Sequence, residues 1–426
     1  MSILVPIILV FLALLGAPLF AVIAAAALWG YFQSDIPLLV IATEIYRVAE
    51  MPILLAIPLF TLAGYILSES GAPGRLVRLT NALLGWMPGG LAIVALVACA
   101  FFTAFTGASG VTIIALGALL FPALNQAGYN ENFNLGLVTT SGSLGLLFAP
   151  SLPLILYGIV AQQMSVGSSV SIDDLFLAGI FPGLLMLTLL AGWSLWVNRH
   201  NRIPMSNFSG LQLKQALFES IWELPLPFIV LGGIYSGYFA VSEAAAVTAM
   251  YVIVVEVFIL REITFRQLPL IMRKSMLLVG GVLIILAVSL ASTNYMIDAE
   301  IPAKLFAFVQ ETVSSPLGFL LLLNVFLLVL GAVLDIFSAL VLIVPLLLPI
   351  AVGYGIDPLH LGIIFLANMQ LGYSTPPVGL NLFIASYRFD RPIMQIYIAA
   401  MPFLVILLAA VLIITYWPAL SLVLVR

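Results

Sequence analysis

The chain has 426 residues, of which 63% are hydrophobic and 8% are charged. Soluble domains carry about 25% charged residues, so this composition excludes an ordinary soluble protein and indicates a polytopic membrane protein. The formal net charge is −4, from 14 basic and 18 acidic residues. Because the basic residues are spread over short loops, the charge pattern gives no nucleic-acid-binding face.

Apolar segments long enough to cross a bilayer follow one another along the chain. At about 20 residues per crossing they predict roughly ten to twelve spanning helices, with extra half-crossings where Gly and Pro interrupt a run. The first run is longer than a signal-peptide core and predicts a retained first helix. The runs lie near residues 3–32, 52–67, 79–122, 133–160, 175–198, 220–260, 276–297, 317–350, 359–386 and 393–424.

Basic residues concentrate in two connections, 199–214 and 261–274, which we expect on the cytoplasmic side. The stretch between them must then cross the membrane twice. A turn is predicted in "LGGIYSGYFAVSE" (231–243), because its glycines and serine favour a chain reversal. Glu256 lies late in the return helix, where we expect it to pair with the basic loop.

Helix-breaking motifs recur in pairs. "QLGYSTPPVGLN" (370–381) is similar to "SGSLGLLFAPS" (141–151), because in each a glycine precedes a proline by five residues. Upstream of each lies a second break, in "FFTAFTGASGVT" (101–112) and in "LGAVLDIFSALVLIVPLLLP" (330–349). No regular helix crosses such sites intact. The layout therefore predicts an internal duplication, with a re-entrant hairpin followed by a broken helix in each half.

This duplication predicts an all-α polytopic membrane protein with inverted structural repeats, two re-entrant helical hairpins and two broken helices. The copies are inverted if an odd number of crossings separates them, and the four breaks then meet near the midplane of the membrane. Ordinary kinks are the alternative, since Gly and Pro are common in membrane helices.

Broken helices leave free carbonyl groups at one end and free N–H groups at the other, which can bind a cation and an anionic group. Nearby hydroxyl oxygens suit a hard ion such as Na⁺, although each hydroxyl can instead bond its own helix backbone. Asp335 is the one carboxylate inside the run 317–350. It is a candidate ion ligand, proton carrier or substrate contact, with a structural acceptor of backbone N–H groups as the alternative.

Several function classes are disfavoured by missing motifs. The sequence has no Gly-x-x-x-x-Gly-Lys phosphate loop, so transport would be driven by a gradient rather than by ATP. Two histidines, one cysteine and no nucleophile elbow disfavour an enzyme, and we expect no organic cofactor. A channel is the stronger rival to a carrier, because re-entrant hairpins also build selectivity filters.

At these motifs the chain resembles the large membrane subunit of tripartite ATP-independent periplasmic (TRAP) transporters, within the wider ion-transporter superfamily, over nearly its whole length. The motifs are "EMPILLAIPLFTLAGYI" (50–66), "FFTAFTGASGVTIIALGALLFPAL" (101–124), "GSLGLLFAPSLPLILYG" (142–158), "SEAAAVTAMY" (242–251), "GAVLDIFSALVLIVPLLLPIA" (331–351) and "QLGYSTPPVGLNLF" (370–383).

The resemblance implies import of a carboxylate or related small organic anion, driven by Na⁺ as the coupling ion. It implies an elevator mechanism, in which a transport domain holding both hairpins slides against a scaffold in the bacterial inner membrane. The implied partners are a small four-helix membrane subunit and a soluble periplasmic substrate-binding protein. A self-sufficient Na⁺- or H⁺-coupled carrier of the same superfamily is the alternative.

The resemblance also implies two sodium sites, each between a hairpin tip and a broken helix. The first would use Thr106, Ala108, Gly145, Phe148 and Pro150, and the second Leu330, Ala332, Gly372, Thr375 and Pro377. Candidate substrate contacts are Ser109, Thr112, Ser143, Asp335, Ser338 and Asn381. Ala149 stands where the family usually has the first of two prolines. We expect scaffold helices in 1–80 and 199–310, and transport regions in 81–198 and 311–426.

Overall fold

The structure, a computed structural model, describes residues 4–87, 89–164, 166–199 and 209–425. These residues form helices and turns, without a strand among them. The helices are α1 Leu4–Leu14, α2 Leu19–Gln33, α3 Leu39–Ala49, α4 Ala56–Glu69, α5 Ala72–Leu84, α6 Gly90–Thr106, α7 Ser109–Ala115, α8 Gly117–Gln126, α9 Glu131–Ser141, α10 Leu152–Met164, α11 Ile172–Asn198, α12 Gly210–Glu219, α13 Pro225–Tyr235, α14 Val241–Ile253, α15 Leu268–Asp298, α16 Ile301–Thr312, α17 Pro316–Val333, α18 Ile336–Gly353, α19 Pro358–Gly372, α20 Leu380–Phe389, α21 Ile393–Tyr416 and α22 Ala419–Leu422.

The same order of elements occurs twice along the chain. In the first unit α4 leads through the short α5 to a hairpin of α6 with α7 and α8, then to the broken helix α9–α10 and to α11. In the second unit α15 leads through the short α16 to the hairpin α17–α18, then to the broken helix α19–α20 and to α21. The predicted duplication, with two hairpins and two broken helices in an all-α membrane protein, is confirmed.

Contacts between the two units are reciprocal. Helix α7 of the first hairpin packs on α20, and α18 of the second hairpin packs on α10; likewise α9 contacts α21, and α19 contacts α11. Such an exchange is the pattern of a two-fold relation, in which each copy presents the same surface to the other. Between the hairpins, the described chain has the bent pair α9–α10 and the long apolar helices α11, α14 and α15, together with the shorter apolar helix α13. The second copy is inverted if α13 also crosses the membrane, so the inversion stays a prediction.

Glycine and proline explain the breaks. Helix α6 ends at Gly107, whose φ of +65° lies in the left-handed region that favours glycine. The broken helices are interrupted at Ala149–Pro150 and at Pro376–Pro377, both of which are cis peptide bonds. The segment Glu131–Leu147, which ends in a short 3₁₀ turn, is bent by 41° from α10.

The number of long crossings is lower than predicted. Among the described residues, seven helices are long and apolar enough to span a membrane, or nine when each bent pair is one span, and four shorter apolar helices accompany them. Breaks at Gly and Pro divide the apolar runs into these shorter helices. The first apolar run, 3–32, is divided for the same reason, because Gly16 with φ +88° and Pro18 separate α1 from α2.

The connections agree with the sequence in part. Helix α13 ends at Tyr235 and α14 begins at Val241, so the predicted turn within 231–243 is confirmed. Within the predicted cytoplasmic loop 199–214, residues 200–208 lie outside the described residues. Glu256 was predicted to pair with the basic loop 261–274, and this prediction is wrong. Glu256 is buried against Arg75 of α5 instead.

Candidate functional site

The first hairpin tip packs directly on the first broken helix. A Cβ at Gly145 would collide with the backbone oxygen of Ala100 and the backbone nitrogen of Ala104, so only glycine allows this approach. The Thr103 hydroxyl is 2.8 Å from the carbonyl oxygen of Gly142 and also 2.8 Å from that of Cys99 in its own helix, so the two carbonyls share its one hydrogen. Hairpin and broken helix are therefore held together by a backbone contact and by a side chain that belongs to the hairpin.

The second hairpin tip meets its broken helix at two facing glycines. A Cβ on Gly372 would lie 2.6 Å from the Cα of Gly331. The backbone N–H of Gly379 donates to the carbonyl of Ala332 at 3.0 Å. The structure thus brings the matching parts of the predicted second sodium site together.

Tyr373 provides a further link in the second repeat. The backbone N–H of Ile336, the first residue of α18, donates to the Tyr373 hydroxyl oxygen at 2.7 Å, and Tyr373 is only 4% exposed. In the first repeat Leu146 stands at the matching place and has no polar atom in its side chain. The second hairpin tip is therefore held by Tyr373, a side chain of the broken helix. The first contact instead uses Thr103, a side chain of the hairpin.

The residues of the two predicted sodium sites lie in these two places. At the first, Thr106 is buried, and its hydroxyl has no hydrogen-bond partner among the described residues. The Phe148 ring packs towards Gly183 of α11, so Phe148 offers only its backbone to such a site. At the second, Thr375 is partly buried and Pro377 is exposed, so this place is more open.

The Thr375 hydroxyl has a partner in its own helix. It donates to the carbonyl of Leu371 at 2.9 Å. This bond uses its hydrogen and leaves the oxygen able to accept or to bind a cation. The carbonyl of Leu330, another predicted ligand, accepts the N–H of Leu334 at 2.8 Å and retains a second lone pair.

The predicted substrate contacts separate into two groups. Ser109 and Asn381 come from opposite repeats and meet, with the serine hydroxyl donating to the Asn381 side-chain oxygen at 2.7 Å. The Asn381 side-chain nitrogen is buried without a hydrogen-bond partner in the described chain. Ser143 lies nearby in the fold, where its hydroxyl is 3.4 Å from the Gln370 carbonyl and links the two broken helices.

The other group is engaged in local structure. Thr112 is 2.7 Å from the Thr103 hydroxyl and belongs to the first hairpin link. Asp335 is the N-cap of α18, because one of its oxygens accepts the N–H groups of Phe337 and Ser338 at 3.0 Å each. The Ser338 hydroxyl donates to the other oxygen. Of the roles considered for Asp335, the structure shows the acceptor of backbone N–H groups.

Several buried polar atoms of the hairpins and broken helices lack a hydrogen-bond partner in the part of the chain that the structure describes. They include the Gln370 amide, the Ser374 hydroxyl, the Asn381 nitrogen and the Thr106 hydroxyl. Buried polar groups are normally satisfied, so such atoms indicate a place where a ligand, ion or water completes the bonding. Sequence reasoning missed Thr103 and Tyr373. Comparing the two repeats position by position would have singled out Tyr373, because its mate is Leu146.

Comparison with known proteins gives the family. Residues 6–420 match the family described as "Tripartite ATP-independent periplasmic transporter, DctM component". The chain is 34% identical to the C4-dicarboxylate TRAP transporter large permease protein DctM of Rhodobacter capsulatus, over 98% of this chain and 97% of the relative. It is 37% identical to the protein of the same name in Pseudomonas aeruginosa, over 90% and 88% of the two chains.

A solved structure shares the fold. The YdaH transporter of Alcanivorax borkumensis superimposes with a TM-score of 0.62 and 15% identity, over 89% of this chain and 87% of that one. At this identity the likeness supports the fold alone, and it agrees with the arrangement of hairpins and broken helices described above. The family match over nearly the whole chain and the identity to the two relatives show that this protein belongs to the DctM family, the large membrane component of tripartite ATP-independent periplasmic transporters, and is a multi-pass protein of the bacterial inner membrane.

Proposed function

We propose that this chain is the membrane carrier of a Na⁺-coupled importer of a small organic anion, a carboxylate or related acid. A soluble periplasmic binding protein delivers the substrate, and a small four-helix membrane subunit completes the complex. The observation that carries the proposal is the repeated contact of a hairpin tip with a broken helix. In both repeats this contact places helix ends and polar groups in the interior of a membrane protein.

The proposed cations lie where each tip meets its broken helix. Helix ends there supply backbone carbonyl oxygens, and Thr106 and Thr375 add hydroxyl oxygens. Oxygen ligands without a dedicated carboxylate suit a hard ion that is held weakly enough to be released in every cycle. The engagement of Asp335 in the cap of α18 supports neutral ligands at the second place rather than a carboxylate.

The proposed substrate site is the junction of Ser109 with Asn381. The buried amide nitrogen of Asn381 is a donor that lacks an acceptor, and the carboxylate of a substrate would supply one. A neutral amide does not balance the charge of an anion, so nearby Na⁺ ions would do so, which couples the two binding events. The C4-dicarboxylate named for both relatives supports a carboxylate as the substrate class.

The proposed movement is an elevator. The hairpins and broken helices pack on one another across the repeats and form one body, to which α5 and α16 connect the preceding long helices. A body of this kind can slide as a unit relative to α4, α14 and α15. The predicted division into scaffold, 1–80 and 199–310, and transport regions, 81–198 and 311–426, fits this movement and remains a prediction.

Reconstitution tests the proposal. The chain, its small subunit and its binding protein are placed in liposomes, and Na⁺, H⁺ and ATP are supplied one at a time. We expect saturable accumulation of substrate with an inward Na⁺ gradient and none with ATP alone. Uptake driven by H⁺ alone, full-rate uptake by the single chain, or flux that only dissipates a gradient would replace the proposal by a proton-coupled carrier, a self-sufficient carrier or a channel.

A further inference from the structure

A cluster of charged side chains lies away from the hairpin tips. The Arg75 guanidinium contacts three carboxylates: its Nε is 2.6 Å from an oxygen of Glu223, its Nη2 is 3.3 Å from an oxygen of Glu256, and its Nη1 bonds Glu262. Glu262 also accepts the backbone N–H of Gly71 at 2.6 Å. The cluster joins α5 to the turn before α13, to the end of the α14 span and to the loop that follows it.

The charges of this cluster do not balance. One guanidinium faces three carboxylates, and two of them, Glu223 and Glu256, are only 2% and 0% exposed. Each of these two has one oxygen that lacks a hydrogen-bond partner within the described residues. A buried carboxylate without full pairing is strongly unfavourable, so an additional positive charge is required here.

Within the described chain, Glu223, Glu256 and Glu262 form salt bridges with Arg75 alone. Arg78 is paired with Glu219 at 2.7 Å, and Lys274 is paired with Glu69 at 2.7 Å, both at exposed positions.

The Tyr251 hydroxyl, which also lies near this cluster, donates to the Trp222 carbonyl. Burial raises the pKa of Glu223, although Arg75 opposes this shift. The pKa of Glu262 is lowered despite its partial burial, because it bonds Arg75 and the Gly71 N–H. Glu223 and Glu262 have short contacts with Arg75, whereas Glu256 has the longest.

The geometry of Glu256 identifies the position of the missing charge. Glu256 is 0% exposed and has the longest contact with Arg75, at 3.3 Å. Its other oxygen has no hydrogen-bond partner within the described residues. A proton on this oxygen would neutralise the carboxylate that Arg75 pairs least closely.

We propose that the Arg75 cluster is a proton-binding site, in which Glu256 carries the proton. Release of this proton leaves three negative charges beside one guanidinium and weakens the attachment of α5 to the neighbouring helices. Because α5 leads into the first hairpin, proton release would loosen the connection between this hairpin and the neighbouring helices. This site is separate from the proposed Na⁺ and substrate sites.

Infrared spectroscopy of the full chain in nanodiscs tests the protonation directly. At neutral pH we expect the C=O stretch of a buried, protonated carboxyl group, which Glu256→Gln removes. Glu69→Gln, which alters an exposed pair, is the matched control and should leave the band unchanged. Persistence of the band in Glu256→Gln, or its loss in the control, would overturn the assignment.

Thermal unfolding as a function of pH gives an independent test. A proton held by the folded chain and released on unfolding makes stability fall as pH rises above the usual glutamate pKa, by about tenfold in the folding equilibrium constant for each pH unit. We expect this dependence in the wild type and a weaker one in Glu256→Gln, whose neutral amide resembles the protonated acid; the remaining dependence comes from Glu223, whose pKa is also raised by burial. An unchanged dependence would contradict the proposal. Glu223→Gln should destabilise the chain, because it removes a charge paired with Arg75. Failure of Glu256→Gln to fold would contradict the proposal, since a protonated glutamate tolerates this replacement.

Discussion

Replacing Tyr373 by phenylalanine tests whether the tip of the second hairpin sets Na⁺ affinity. The substitution keeps the buried ring and removes the oxygen that accepts the Ile336 N–H at 2.7 Å. Asp335 cannot replace it easily, because its oxygens already accept from Phe337 and Ser338. The Ile336 N–H is thus left without its acceptor.

The magnitude follows from the cost of that unpaired group. An unsatisfied buried donor costs about 1 to 3 kcal/mol. If ion binding requires the closed tip, this cost raises the Na⁺ concentration for half-maximal uptake by roughly five- to 150-fold. The upper value applies only when the N–H finds no water in the ion-bound state.

The assay is Na⁺-dependent uptake in liposomes that contain the complete complex. Na⁺-dependent thermal stabilisation of the purified chain gives a second reading that does not need transport. Tyr31→Phe is the matched control, because the Tyr31 hydroxyl is also buried and donates to the Ala291 carbonyl at 2.9 Å, outside the hairpins. An equal change in Na⁺ dependence for both variants, or no change in Tyr373→Phe, would refute the assigned role of Tyr373. Absence of any Na⁺ dependence in the wild type would refute the proposed coupling instead.

Three further substitutions separate ligand, packing and capping roles. Thr375→Val should raise the Na⁺ concentration for half-maximal uptake about ten- to a hundredfold, and by more than Phe148→Leu does. An unchanged Na⁺ concentration would show that the Thr375 hydroxyl only bonds the Leu371 carbonyl. Gly372→Ala should lower the unfolding temperature strongly, because its Cβ would lie 2.6 Å from the Cα of Gly331. Gly280→Ala, whose Cβ meets open space, should not lower it. Equal effects of the two substitutions would contradict the close contact. Asp335→Ala should reduce stability by about 0.5 to 2 kcal/mol in a denaturant titration, through loss of the α18 cap; no loss would show that water replaces it.

The sequence alone determined the class of the protein and the places where its helices break. Few charges and long apolar runs require a bilayer as solvent. Glycine and proline act locally on the backbone, so "FAP" at 148–150 and "TPP" at 375–377 predicted breaks that the structure contains. Repetition of these breaks at similar spacing was enough to predict the two repeats.

The tertiary structure decided which polar groups meet, because hydrogen bonds between distant segments leave no periodic signal in a sequence. Ser109 and Asn381 are 272 positions apart, and Arg75 and Glu256 are 181 apart, yet each pair is in contact. Asp335 had several possible roles until its distances to two backbone N–H groups identified it as a helix cap. In a low-dielectric interior an unpaired polar group is unfavourable, and only the three-dimensional packing of the two repeats determines which partner is within reach.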